Sequence, residues 1–136
     1  MTIAKTAATA AAVAAMAGGL VMTGTSQAVA HVGDVCTVPG CNGSASFVRN
    51  GEHLYVWDNK ADGRSVVAEY ERSDADQLGR AWNARGAGSS PTDHNMSMPE
   101  RETITYRVCL GNYSTNAPDR VVHEGTCSGW YTEPAG

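Results

Sequence analysis

Thr103-Ile104-Thr105-Tyr106-Arg107-Val108-Cys109-Leu110 decides the reading of this chain. Ile104, Tyr106, Val108 and Leu110 alternate with Thr103, Thr105, Arg107 and Cys109, the period of two that marks a strand with one face in a core and the other toward water. Cys109 is thereby assigned to the polar face. Working outward, Pro99 and the Gly/Ser/Pro/Asp-rich stretch Arg85–Asn95 precede this strand as breakers, so Arg85–Asn95 reads as a long loop. Trp82 marks another strand, and residues 73–80 are too polar, and too interrupted by Gly79, for a full helix.

In Arg64–Arg72, Val66, Ala68 and Tyr70 share one face. Val67, Glu69 and Glu71 share the other, which is expected to be wet. Ser46-Phe47-Val48, Asn50-Gly51 and Glu52–Asp58 form a hairpin signature, because Asn-Gly accepts the positive φ angles of a tight turn. After Leu110, Arg120–His123 and Cys127–Tyr131 read as a closing pair of strands. A disulfide from the polar face to Cys127 would then send Trp130 inward. Six to eight short strands without a convincing helix predict an all-β, antiparallel immunoglobulin-like β-sandwich.

Residues 1–30 stand apart. Lys5, the apolar run Ala7–Met22 and Ala28-Val29-Ala30 make a positive start, a hydrophobic middle and a small-x-small site. They predict a secretory signal peptide cleaved after Ala30, leaving a domain over 31–136. The run is short for a membrane span and is broken by Gly18-Gly19, and no second one follows, so no membrane span is expected in the mature chain. No cysteine follows the cleavage point directly, which argues against a lipoprotein.

Past the leader, nine Lys and Arg face fourteen Asp and Glu, a formal charge of −5. The basic residues are scattered along the chain, so nucleic acid is excluded as a partner. The 106 residues hold only 25 large apolar side chains, a thin core for an independent domain. Four cysteines, Cys36, Cys41, Cys109 and Cys127, predict two disulfides in an oxidising compartment. Of three connectivities, Cys36–Cys41 with Cys109–Cys127 is favoured, because Pro39-Gly40 suits a type II turn. Zinc is disfavoured, since no histidine stands at finger spacing.

Val56–Gly63, Thr105–Leu110 and Cys127-Ser128-Gly129-Trp130 resemble segments of a group of small secreted actinobacterial β-sandwich proteins, mostly uncharacterised, over most of residues 45–131. The resemblance implies an exported bacterial sandwich domain and carries no catalytic residues. In that group a cysteine often stands where this chain has Trp57. The architecture is also similar, more loosely, to carrier apoproteins of the neocarzinostatin type, though the cysteine spacing differs.

Asp58-Asn59-Lys60-Ala61-Asp62-Gly63, with Glu69 at the twelfth position, mimics a calcium loop. Lys60 and Ser65 spoil the pattern, and a β-turn is the better reading. Cleavage after Ala30 would make His31 an amino-terminal chelator of copper, with His53, His94 or His123 completing the site; a solvent-exposed terminus is the plainer expectation. No metal and no cofactor are therefore expected.

No G-x-S-x-G, H-E-x-x-H or S-x-x-K motif is present, and no catalytic residue is named. Asn42-Gly43-Ser44, Asn95-Met96-Ser97 and Asn112-Tyr113-Ser114 match the glycosylation triplet by chance in a bacterial chain. Tyr55 and Trp57 share one strand face and could make a ledge for a sugar ring or apolar ligand. A strand buried on both sides, or an aromatic lid over the second sheet, is favoured.

The expectation is thus a secreted, extracellular, non-enzymatic binding or surface-associated protein with an extracellular partner or ligand. Arg85–Asn95 is its contact loop. The alternatives are a small inhibitor or ligand carrier, or a copper-binding protein.

Overall fold

The computed structural model describes residues 35–136; the predicted leader and His31 lie outside the described residues. Two antiparallel sheets stack into the sandwich expected from the sequence. The first holds β1 (Val35–Cys36), β2 (Gly43–Val48), β3 (His53–Asp58) and β6 (Thr92–Asn95), in the order β1-β2-β3-β6. The second holds β4 (Ser65–Arg72), β5 (Gly79–Asn83), β7 (Thr103–Asn112), β8 (Val121–His123) and β9 (Tyr131–Pro134), in the order β5-β4-β7-β8, with β9 also on β7. The β3–β4 turn therefore carries the chain from one sheet to the other.

The alternation read from the sequence sets the core. Ala45, Phe47, Leu54 and Val56 face Val66, Ala68, Ala81, Ile104, Tyr106, Val108 and Leu110, with Met96 and Met98 buried beside them. Asn83 is wholly buried among these apolar groups. Its Nδ2 donates to the Val56 carbonyl (3.0 Å) and its Oδ1 accepts from the Arg85 N–H (3.1 Å), so the side chain ties the two sheets together without an unpaired polar atom.

The outer face of the second sheet is not wet as expected. Val67 and Glu69 are as buried as the core, and of the β4 residues on that face Glu71 alone is exposed. The register places Glu69 opposite both Arg80 and Arg107. Arg80 reaches Glu69 Oε2 at 2.8 Å, and Arg107 reaches Oε1 at 2.7 Å while also pairing with Glu124. Trp130 lies over the Arg107 guanidinium, 4.8 Å from ring centroid to Cζ. Val67 stands opposite Trp82 and Cys109, and a Cβ on Gly111 would come within 2.4 Å of the Val121 carbonyl and 3.0 Å of the Trp82 ring. Glycine at 111 is what allows β8 and the indole to close over this face.

Trp130 is 45% exposed rather than inward, and the last strand is Tyr131–Pro134 rather than Cys127–Tyr131. A 3-10 turn over Glu124–Thr126 and irregular backbone over 127–130 separate β8 from β9, so strand parity does not propagate from Cys127 to Trp130. This segment still covers the β7 edge. Ser128 N–H donates to the Val108 carbonyl, while Thr126 Oγ1 and Ser128 Oγ accept from Leu110 and Val108 N–H.

Cys36 is bonded to Cys41 and Cys109 to Cys127. In the first loop Gly40 takes a φ of 81°, the positive value that a Pro-Gly turn of type II asks of its glycine. The Val38–Pro39 peptide is cis, and Cys41 N–H closes onto the Thr37 carbonyl four residues back.

Breaking the partly buried Arg107 side of the Glu69 cluster should cost more than breaking the half-exposed Arg80 side. In urea unfolding, Arg107→Met is expected to lose about 3 kcal/mol and Arg80→Met below about 1 kcal/mol. Equal losses would show that the burial of Glu69 does not set the energetics.

Candidate functional site

The hairpin that begins at Asn50-Gly51 produces the most organised exposed surface. In β3, Leu54, Val56 and Asp58 turn inward, so His53, Tyr55 and Trp57 fall on the outer face at every second residue, each partly exposed. His53 stacks on Tyr55 with centroids 5.7 Å apart and planes 16° from parallel; Tyr55 and Trp57 follow at 5.9 Å and 37°. The expectation that Tyr55 and Trp57 are buried on both sides is thus overturned. Among the described residues no second layer lies over this face, and the rings stay partly open.

The neighbouring strands keep this row low and hold it in place. Ser46 stands opposite Tyr55 and Ser44 opposite Trp57, small buried side chains that do not overtop the rings. On the other side Asp93 lies opposite Tyr55, and its Oδ1 is 2.6 Å from His53 Nδ1. Beyond Trp57, Asn59 Nδ2 donates to Ser44 Oγ (3.0 Å) and to the Cys41 carbonyl (3.1 Å), anchoring the row's end to the Cys36–Cys41 loop. Three rings on one strand, fixed by cross-strand neighbours, form a platform that loses little side-chain freedom on binding.

Other residues singled out from the sequence are not brought together. Asp58 and Asp62 each accept a backbone N–H two residues on, from Lys60 (3.2 Å) and Arg64 (3.0 Å), while Glu69 sits in its arginine pair on the second sheet. The calcium-like segment is a turn between sheets. His53 is on the outer face, His94 bonds Tyr70 Oη at 2.9 Å, and His123 lies on β8, so these three histidines occupy separate places. Among the described residues no group of three or more His, Cys, Asp and Glu is arranged to hold a metal ion.

The Arg85–Asn95 loop is shorter than read, since Thr92–Asn95 is strand β6. Beyond Thr92 the polar Asp-His-Asn has little strand propensity of its own, and pairing with β3 imposes the extended form. Two open clefts flank what remains of the loop. One of about 430 Å³ lies between residues 58–65 and 84–87. The other, of about 560 Å³, is lined by Trp82, Ala84, Arg85, Thr92, Asp93, Tyr113 and Arg120.

No protein-family model, curated protein or solved structure matches this chain. Among the described residues no helix is long and apolar enough to cross a membrane.

Burial pushes the Asp58 carboxyl above the ordinary aspartate value of 3.8, offset in part by the Lys60 N–H and reinforced by the nearby Asp62 charge. The folded state thus holds this proton more tightly than the unfolded chain. The resulting stability is present below the unfolded pKa and is lost as pH rises through the folded one. Asp58→Asn, which retains an acceptor for Lys60, is expected to melt higher than the parent at pH 7 and to lose that advantage by pH 3. An advantage unchanged between the two would exclude the buried charge as its cause.

Proposed function

We propose that this chain is an exported, non-enzymatic binding domain, and that the row His53-Tyr55-Trp57 is where it takes a saccharide. One observation carries the reading: three rings in succession lie partly open to solvent on a sheet face that no other described segment covers, with a hydrogen-bonded His53–Asp93 pair at one end. The apolar C–H face of a pyranose lies flat on such rings, and its hydroxyls suit the polar Asp93 and His53 beside them. Rings on a regular strand are better preorganised than rings on a loop, which suits a ligand that offers shape and little charge.

Export agrees with the leader-like residues 1–30 and with two disulfides, the kind of cross-link that persists in oxidising compartments. The kinship with small secreted actinobacterial sandwich proteins belongs to the same proposal. Stacking and hydrogen bonding need no catalytic group, and the reading invokes none.

Affinity electrophoresis and calorimetry against soluble xylan, β-glucan and polygalacturonate test this. Binding of at least one is expected, and Trp57→Ala should weaken it at least about tenfold, or about 1.4 kcal/mol, with the melting temperature nearly unchanged. Retention by none of the polymers, or equal binding by the variant, would remove the aromatic row as the site.

A further inference from the structure

Three arginines of the second sheet answer to carboxylates: Arg72 to Asp74, Arg80 to Glu69, and Arg107 to Glu69 and Glu124. Arg85 and Arg120 do not. Arg85 NH2 donates to the Ser90 and Pro91 carbonyls at 2.7 and 3.1 Å. Arg120 Nε donates to the Ser114 carbonyl at 2.7 Å, and its NH2 to Tyr113 Oη at 3.2 Å. Neutral acceptors orient a guanidinium without cancelling its charge. Both side chains are therefore positioned, and neither has an ion-pair partner among the described residues.

Both line the 560 Å³ cleft at the β5/β6 side of the sandwich. Its wall is aromatic. Trp82 and Tyr113 meet edge to face with centroids 5.7 Å apart, and the Arg120 guanidinium lies 4.5 Å over the Tyr113 ring. The one carboxylate in the lining, Asp93, has an oxygen committed to His53. Two oriented cations outnumber it in a chain whose overall charge is negative. A guanidinium held by carbonyls keeps further N–H groups for an oxyanion, and an aromatic wall beside it accepts a ring. The volume suits a sugar unit or two rather than an extended protein surface.

We propose that this cleft is a second subsite, selective for a sugar residue that carries a carboxylate. Arg85 and Arg120 bind the oxyanion while Trp82 and Tyr113 flank the ring. The proposal rests on the saccharide reading above and adds to it the charge of the ligand. Asp93 borders both surfaces, so one acidic glycan can occupy the row and the cleft of one molecule.

The test compares a galacturonate oligomer with its methyl ester, which keeps the ring and removes the charge. Calorimetry of the full chain in low salt is expected to show the acid at least tenfold tighter, with the ratio shrinking at higher ionic strength. Arg85→Met with Arg120→Met should bring the ratio to within twofold, while Trp57→Ala should weaken acid and ester alike. NMR of the unaltered protein supplies a reading independent of variant folding, in which the acid, and not the ester, should shift the Arg85 and Arg120 Nε signals. Equal binding of acid and ester with Trp57 still required would overturn this subsite alone, as would a preference for the acid that survives the double substitution. Binding of neither would overturn both the subsite and the saccharide reading.

Discussion

The eight-residue register between β4 and β7, from Ser65 opposite Gly111 to Arg72 opposite Ile104, is the constraint on which the second sheet depends. It places Val66, Ala68 and Tyr70 beside Leu110, Val108 and Tyr106 on the inside. The same register sets Val67 against Cys109 and Glu69 against Arg107 on the outside. A slip of one residue would exchange the two faces, bringing an arginine and a carboxylate into the core. The core and the ion cluster are therefore two consequences of one pairing.

A chain with so few large apolar side chains gains from covering a face twice. On the second sheet the Cys109–Cys127 bridge, the Arg107–Trp130 contact and the segment 124–130 make a cover over Val67 and Glu69. Among the described residues the first sheet has no such cover, and its aromatic row remains partly open. This asymmetry separates a face used for stability from the partly open face that is proposed to bind. Tyr55 and Trp57 contribute less to the core than their size suggests, which is consistent with their use at a surface.

Charge follows the same division. In sequence Arg85 and Arg120 are isolated and unremarked, separated by 35 positions. Folding brings both to the cleft beside Trp82 and Tyr113, because β5 and β7 run to the same end of the sandwich and their following loops meet there. An acidic chain thus carries a local cationic recess that its net charge conceals. No linear cluster of basic residues signals it, since its members come from different loops.

Much of the architecture was legible in one dimension. Alternation in 103–110 and 64–72, the Asn50-Gly51 turn and the cysteine parity in number identified the strands, the hairpin and two disulfides, because each depends on local geometry or on the chemistry of a residue type. Four features were not legible: the burial of Glu69, the outward Trp130, strand β6 in a polar segment, and the exposure of the aromatic row. Each depends on what lies across a sheet or over its face. Residues far apart in the chain supply that information, and only the packed tertiary structure brings them into contact.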